Sequence, residues 1–215
     1  AEDMFQDSGL SAAALHRARS PWRGMRTEVI GGQLLDISLE AAGSESVELA
    51  NSVNRYKTAA YTIERPLHLG AAIAGASEEL IAAFRGYGHD IGIAYQLRDD
   101  QLGVFGDPAV TGKPAGDDLR EGKRTELLAL ALQRADESDP QAAATLRKLI
   151  GHTSDPQELS RLAQIIADSG APEEIERRID ALTRSGLQHL HAAQVDPAVT
   201  EALEQLAIKA TARRK

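Results

Sequence analysis

The sequence contains no cysteine. A chain without thiols cannot form disulfides, thiolate zinc sites or a cysteine nucleophile, so scaffolds and enzymes of these classes are excluded. The absence is typical of proteins from a reducing compartment. A cytoplasmic location is therefore predicted.

Long hydrophobic runs are also absent. Residues 71–76 form an apolar stretch of six residues, whereas a membrane-spanning helix needs about 20. The 24 basic and 32 acidic residues leave a net charge of −8, which opposes binding to the phosphate backbone of nucleic acids. We predict no membrane span and no nucleic-acid partner, although a local basic pocket for a small anion is still allowed.

Aromatic and β-branched apolar residues are scarce. The chain has 8 aromatic residues, 13 isoleucines and 7 valines, against 36 alanines and 25 leucines. Alanine and leucine favour helix over strand. Because no repeat, low-complexity tract or linker divides the 215 residues, the sequence predicts one all-α domain spanning residues 1–215.

Proline and capping residues set the predicted helix ends. Four pairs in which a capping residue precedes proline predict helix starts, because proline suits the first helical position. The pairs are Ser20-Pro21, Asp139-Pro140, Asp155-Pro156 and Asp196-Pro197. The predicted helices span residues 21–42, 46–65, 67–74, 77–104, 123–136, 141–150, 156–169, 172–193 and 197–212, with a loop at 105–122.

Familiar nucleotide and zinc motifs are absent in their required form. The glycines of residues 86–92 are spaced too widely for a dinucleotide-binding loop, and Gly106 and Gly112 are spaced wrongly for a P-loop. The six histidines include no pair four residues apart. No nucleotide loop or zinc helix is therefore predicted.

An acidic pair near the end of the predicted helix 77–104 indicates a metal site. A stripe of small and polar residues runs from Gly88 to Gly103 at helical spacing and includes Asp99, which Asp100 follows. Adjacent carboxylates near a helix C-terminus repel each other and the helix dipole, so they favour a cation. Mg²⁺, which joins one or two carboxylates to substrate phosphates, fits them. The alternative is a solvated acidic helix end.

Lysines close to this pair in sequence suggest a phosphate ligand. Lys113 and Lys123 follow the acidic pair, and Lys57 lies in the middle of a predicted helix beside Thr58. Lysine binds phosphate oxygens as a point charge, so carboxylates, metal and lysines together describe a diphosphate site. Taken alone, Lys57 is more typical of a surface charge.

Gln33 and Asp36 interrupt the apolar face of the predicted helix 21–42. Polar side chains on such a face indicate either the wall of a cavity or a hydrogen-bonded pair within the core. The residue pattern leaves both interpretations open.

Four segments, taken in order, resemble a known family. They are residues 31–36 (GGQLLD), 57–59 (KTA), 95–107 (YQLRDDQLGVFGD) and 112–125 (GKPAGDDLREGKRT). Their order and separation resemble the trans-prenyltransferases, the polyprenyl diphosphate synthases, and among these the geranylgeranyl and long-chain branch. The resemblance covers most of the chain.

That resemblance implies an all-helical bundle of the isoprenoid synthase type around a central cavity, paired as a homodimer. The implied enzyme is a prenyl transferase, which condenses isopentenyl diphosphate with an allylic diphosphate as Mg²⁺ assists the loss of diphosphate. Asp99 and Asp100 are implied to hold the Mg²⁺, and Asp36 is a third candidate metal ligand.

The resemblance also implies the substrate contacts. Lys57, Lys113 and Lys123 would bind diphosphate oxygens, and Gln33 is a further candidate substrate contact. Thr58 and Gln96 would lie under the reacting carbons, where polar oxygens favour developing positive charge. Together with Lys57 they are the predicted catalytic residues.

The sequence departs from the family pattern in two places. Gly103 stands where family members carry an aspartate at the end of the motif that begins at Asp99, and no first aspartate-rich motif precedes Gly31. We therefore expect the chain to be the C-terminal portion of a longer synthase, without its N-terminal helices, and to be inactive alone. The alternatives are a non-catalytic or regulatory subunit of a heteromeric synthase and a purely structural helical module.

Overall fold

A computed structural model describes residues 2–112, 114–193 and 195–212. All regular elements in these residues are helical, which confirms the all-α prediction. A π-helical segment, π1 (Asn54–Glu64), lies between α3 and α4. The α-helices are α1 (Glu2–Gln6), α2 (Ala12–Ala42), α3 (Val47–Val53), α4 (Arg65–Ala74), α5 (Glu78–Phe105), α6 (Pro108–Thr111), α7 (Asp117–Glu121), α8 (Glu126–Ser138), α9 (Pro140–Leu149), α10 (Pro156–Asp168), α11 (Ala171–Ala192) and α12 (Pro197–Thr211).

Helix α5 is the central element and packs extensively against both α11 and π1. Gly88 and Gly92 allow π1 to approach closely. A Cβ atom at Gly88 would lie 2.5 Å from the Cα of Glu64, and one at Gly92 would lie 2.5 Å from the Cα of Ala59. The first part of the small-residue stripe seen in the sequence, at Gly88 and Gly92, is therefore the seam on which π1 packs.

Helices α3 and α4 and the π1 segment form one continuous helical rod. The predicted break before residue 67 was wrong, because Pro66 lies in the first turn of α4. The Arg65 N–H donates to the Ala60 carbonyl, five residues back, so Pro66 follows directly where the hydrogen-bond register changes from π to α spacing. A missing N–H is tolerated at such a change, because the change itself leaves a carbonyl without a partner.

Helix α2 begins before the predicted start at Pro21, with Ser11 as its N-cap. Pro21 is buried inside the helix. Arg17, in the turn before it, donates to the carbonyls of Ala72 and Ile73 in α4. The predicted cap before Pro21 was wrong because tertiary contacts hold this turn in helical form against the local preference of proline.

The predicted loop at 105–122 contains two short helices, α6 and α7, so the loop prediction was wrong over these residues. Asp107 caps α6 immediately before Pro108. Glycines flank these short helices: Gly112 follows α6, Gly116 precedes α7 and Gly122 follows α7. Their left-handed φ values are 71°, 69° and 76°, respectively. Each helix is about one turn long, too short to show a periodic pattern in the sequence.

The main hydrophobic core lies where α5 meets α7, α8, α9, α10 and α11. Its fully buried residues include Leu127, Leu146, Leu162, Ile166 and Ile175. The helices predicted at 77–104, 141–150, 156–169, 172–193 and 197–212 agree with the observed ends to within one residue. Among the described residues, no helix combines the length and apolar character needed to cross a membrane.

Candidate functional site

Seven of the residues selected from the sequence line one pocket of about 230 Å³. The pocket lies where α2, π1 and α5 meet the 123–125 segment that leads into α8. These seven residues are Asp36, Lys57, Thr58, Gln96, Asp99, Asp100 and Lys123. Tertiary packing therefore brings distant sequence motifs to one place.

Two glycines position π1 at this pocket. A Cβ atom at Gly32 of α2 would lie 2.4 Å from the backbone nitrogen of Lys57, and Gly92 of α5 contacts Ala59 equally closely. A larger residue at either glycine would displace the turn that carries Lys57 and Thr58. The sequence motif contained Gly32, but only the packing shows why a glycine is needed there.

A hydrogen-bonded chain of side chains runs through the pocket. The Thr58 hydroxyl donates to Gln96 Oε1 at 2.8 Å, and Gln96 Nε2 donates to Asp100 Oδ1 at 2.7 Å. The two bonds fix the orientation of the Gln96 amide, because its oxygen accepts from one neighbour and its nitrogen donates to the other. The predicted catalytic pair Thr58 and Gln96 is thus directly linked to the predicted metal ligand Asp100.

Asp100 carries the strongest electrostatic perturbation of the site. It is 4% exposed, and its burial raises the pKa of the carboxyl from 3.8 to about 8. The charges of nearby Asp118 and Asp99 contribute to this raised pKa, while the hydrogen bond from Gln96 opposes the rise. A cation bound here would restore the ionised carboxylate by supplying the missing positive charge.

The acidic pair fits a magnesium ion that is shared with a substrate. Among the described residues, no group of three or more His, Asp or Glu side chains is placed to hold a metal by itself. Asp99 and Asp100 line the pocket, and Asp100 Oδ2 is buried with no hydrogen-bond partner. Mg²⁺ takes one or two carboxylates and completes its shell with water and phosphate oxygens, so these residues suit it.

The structure pairs Lys57 with Asp36, the third predicted metal ligand. The Lys57 ammonium donates to Asp36 Oδ2 across the interface between π1 and α2. Asp36 therefore sets the position of Lys57 at the pocket, and its metal-binding role remains a prediction. Gln33, one turn earlier on α2, is exposed and lies outside the pocket lining.

Lys123 is held by Asp118, a residue that sequence reasoning gave no role. Its ammonium donates to Asp118 Oδ1 and lies 3.4 Å from Glu121 Oε2. Burial lowers the pKa of Lys123, but the bond and charge of Asp118 outweigh burial and raise it. Lys123 is therefore fully charged at neutral pH.

Asp118 also explains the unusual Gly103. A Cβ atom at Gly103 would lie 2.0 Å from Asp118 Oδ2, so the Asp118 carboxylate occupies the space of a side chain at position 103. Asp118 is 5% exposed, and its charge raises the pKa of Asp100. A carboxylate from α7 thus lies beside the position where the sequence lacks the expected aspartate.

Five further residues complete the pocket wall, the apolar Ala50 and Val53 of α3 and three polar residues. Asn54 begins π1, and Arg124 and Thr125 follow Lys123. Arg124 and Thr125 belong to a recognised motif but had no assigned role, and nothing in the sequence marks Asn54. The predicted phosphate ligand Lys113 lies outside the described residues.

A larger cavity of about 680 Å³ lies elsewhere, between α5, α11 and α12. Arg98, the basic residue that lines it, already forms two bonds to Glu176 and donates to Gln101 and to the Thr211 carbonyl. Its charge is thus satisfied within the protein. The smaller pocket, with its carboxylates and lysines, is the better candidate for chemistry.

Comparison with known proteins identifies related chains. A family model described as polyprenyl synthetase matches residues 19–168. The chain is 39% identical over 137 residues to a geranylfarnesyl diphosphate synthase from Aeropyrum pernix, and 40% identical over 113 residues to a geranylgeranyl diphosphate synthase from Mycobacterium tuberculosis. These alignments cover 61% and 53% of this chain, and 42% and 32% of the two relatives.

Solved structures extend the similarity to the whole fold. A geranylgeranyl pyrophosphate synthase from Corynebacterium glutamicum, crystallised with isoprenyl diphosphate and magnesium, is 64% identical and superimposes with a TM-score of 0.97. That match covers 99% of this chain and 60% of the other. The similarity confirms the predicted isoprenoid synthase type of helical fold, and the chain spans less than two thirds of each relative's length.

Proposed function

The chain belongs to the polyprenyl synthetase family, and on that premise we propose that it forms the diphosphate-binding part of a prenyl transferase. The proposed reaction condenses isopentenyl diphosphate with an allylic diphosphate to give a longer polyprenyl diphosphate. The observation that carries the proposal is the single pocket in which Asp99 and Asp100 lie with Lys57 and Lys123, with one buried carboxylate oxygen left without a partner.

The proposed reaction breaks the bond between the allylic carbon and its diphosphate oxygen. Mg²⁺, held by Asp99 and Asp100, would neutralise the leaving diphosphate. Lys57 and Lys123 add positive charge around the same oxygens, at positions that their ion pairs with Asp36 and Asp118 hold. These charges are in place before reaction, so they favour departure of the diphosphate without reorganisation.

The new carbon–carbon bond forms between the allylic carbon and the double bond of isopentenyl diphosphate. Thr58 and Gln96 present linked oxygens to the pocket, where they favour developing positive charge on carbon. The proton that isopentenyl diphosphate then loses can pass to the released diphosphate, so a histidine base is not needed. Asp100 is 4% exposed, which supports restricted access of water on this side of the pocket.

Further features of the proposal come from the relatives and the sequence. Magnesium and isoprenyl diphosphate are bound by the Corynebacterium glutamicum protein, which supports the same ligands for this chain. The intact set of charged residues opposes the alternative of a non-catalytic subunit.

A homodimer and a cytoplasmic location also belong to the proposal. An apolar face of α2 supports the former, since Ile30, Leu34 and Ile37 are 69%, 65% and 53% exposed.

Incorporation of radiolabelled isopentenyl diphosphate tests the proposal. Dimethylallyl, geranyl and farnesyl diphosphate are offered in turn with Mg²⁺, to the chain and to a version completed with the remaining parts of the Corynebacterium glutamicum protein. We expect magnesium-dependent turnover in the completed version only, and Asp99→Asn should reduce it by about a hundredfold or more. Asp180→Asn, at an exposed position on α11, is the matched control. Turnover that survives Asp99→Asn would contradict the assignment of the site.

A further inference from the structure

Buried polar atoms without a partner are concentrated at the candidate pocket. Among the described residues, five buried side-chain polar atoms form no hydrogen bond, and three of them, Asn54 Nδ2, Asp100 Oδ2 and Arg124 Nε, belong to residues that line the pocket. Buried polar atoms are normally paired, so each exception requires an explanation such as a bound ligand or ion. The proposed metal explains Asp100. Two donors remain.

Asn54 is the more deeply buried of the two, with 4% of its surface exposed. It begins π1, and Thr58 of the same segment lines the same pocket. An amide that served only to fill space here would lose its hydration without compensation, which costs about 1–3 kcal/mol. A ligand oxygen in the pocket would provide the missing acceptor.

Arg124 differs from other partly buried arginines of the molecule. Arg98 and Arg178 each form an ion pair, with Glu176 and Glu126 respectively. Within the part of the chain that the structure describes, Arg124 has no ion pair, and its Nε is buried without an acceptor. Its guanidinium is therefore available to an anion.

The two pocket lysines contrast with Arg124. Lys57 is paired with Asp36, and Lys123 is paired with Asp118. Carboxylates of the protein thus offset part of the charge of both lysines before a ligand binds. A diphosphate held by the metal would still have oxygens that need donors, and Asn54 and Arg124 have donors to give.

We propose that Asn54 and Arg124 are substrate-binding residues that donate to the diphosphate oxygens not bound by the metal. The inference rests on the proposed function of the same pocket. Arginine is permanently charged and presents a fork of donors that matches phosphate oxygens, so Arg124 contributes most. The Asn54 amide adds a neutral donor. Asp99 and Asp100 then form the side of the pocket that holds the metal, and Asn54 and Arg124 form the side that donates hydrogen bonds to the diphosphate.

Binding of inorganic pyrophosphate in the presence of Mg²⁺ tests this inference by calorimetry. Hydrogen bonds to charged groups contribute about 1.5–3 kcal/mol, so Arg124→Gln should weaken binding roughly ten- to a hundredfold. Asn54→Ala should weaken it by about three- to tenfold. Arg161→Gln removes the same charge from an exposed position on α10 and should leave the affinity unchanged.

Thermal unfolding without ligand distinguishes ligand binding from a structural role. Loss of a buried donor that has no partner should not lower the melting temperature of the free protein. The rise in melting temperature that Mg²⁺ and pyrophosphate cause should shrink in Arg124→Gln and Asn54→Ala. A lower melting temperature in the free variants, with unchanged affinity, would assign a structural role and overturn the inference.

The same titration separates the inference from the proposed function. In one outcome, the unsubstituted chain binds Mg²⁺–pyrophosphate, Asp99→Asn abolishes this binding, and Arg124→Gln and Asn54→Ala leave it unchanged. The inference is then wrong and the proposed function stands. If the unsubstituted chain does not bind Mg²⁺–pyrophosphate, both are wrong.

Discussion

The pocket and the main core place the same helix, α5, in opposite environments. Toward α8–α11, α5 contributes apolar residues such as Leu97 to a core of fully buried leucine and isoleucine. Toward π1 and α2 it contributes Gln96, Asp99 and Asp100 to a polar pocket with unpaired buried atoms. The contacts that stabilise the fold are concentrated on one side of α5, and buried polar atoms without hydrogen-bond partners lie on the other.

This division follows from what each kind of contact can do. Close-packed apolar side chains stabilise a fold without needing a ligand. A buried carboxylate such as Asp100 destabilises the free protein unless a cation arrives, so it is retained where binding needs it. Substitutions on the two sides should therefore separate stability from ligand binding.

The largest effect on stability is expected from Leu162→Ala. Leu162 of α10 is fully buried in the main core. Loss of its side chain leaves a cavity and should lower the free energy of unfolding by about 2–5 kcal/mol. Urea unfolding measures this change, and Leu206→Ala, at a position 59% exposed, is the control. Below the melting transition the affinity for Mg²⁺–pyrophosphate should not change, and a loss of affinity would show that the two sides of α5 are coupled.

Asp100→Asn should produce the reverse pattern. The substitution keeps the shape of the side chain and removes a proposed metal ligand, so turnover of the completed enzyme should fall by about a hundred- to a thousandfold. The free protein should be as stable as before or more stable, because the substitution removes a buried ionisable group of which one oxygen, Oδ2, has no hydrogen-bond partner. Steady-state turnover and thermal unfolding measure the two quantities. A large loss of stability would show that Asp100 supports the fold.

Gly103→Ala tests the contact between α5 and α7. The new Cβ would lie 2.0 Å from Asp118 Oδ2, so the Asp118 carboxylate and its partner Lys123 must move. We expect a loss of about 1–3 kcal/mol in the free energy of unfolding. The control is Gly31→Ala on α2, where no atom lies within 4 Å and the better helix propensity of alanine should stabilise by up to about 1 kcal/mol. Equal effects at both glycines would contradict the proposed crowding.

The last expected effect is a dependence of stability on pH. Burial raises the pKa of Asp100 from 3.8 to about 8. A carboxyl whose pKa is higher in the folded than in the unfolded state binds its proton more tightly when folded, so the stability of the ligand-free protein should fall as pH rises from about 4 to about 8. Melting temperatures should fall by about 2–4 °C for each kcal/mol lost. The difference between the unsubstituted chain and Asp100→Asn isolates this residue, and parallel curves would contradict the shifted pKa.

Sequence patterns predicted most helix ends and most of the pocket. Capping residues and prolines placed the starts of α9, α10 and α12 correctly, because these signals act within one turn of the chain. Lys57, Gln96 and Asp100 were recognised because their motifs are short and contiguous, and the structure places all three at one pocket.

Other features depended on contacts between distant segments. Pro21 lies inside α2 because Arg17 ties the preceding turn to α4, and no local rule contains that contact. The π-helical winding of π1 accompanies its close packing on Gly32 and Gly92. Local propensity does not distinguish such a segment from an ordinary α-helix.

The sequence by itself determined the helical class, the helix ends set by local caps, and the kinds of charge available for a diphosphate and its metal. Only the tertiary structure decided which charges are paired and which are left for a ligand. The Asp118 carboxylate lies in the space beside Gly103, and Lys57 is paired with Asp36. Among the described residues, Arg124 Nε has no acceptor. The reason is physical: composition and spacing act along the chain, whereas burial and hydrogen bonding depend on which surfaces meet when the helices pack.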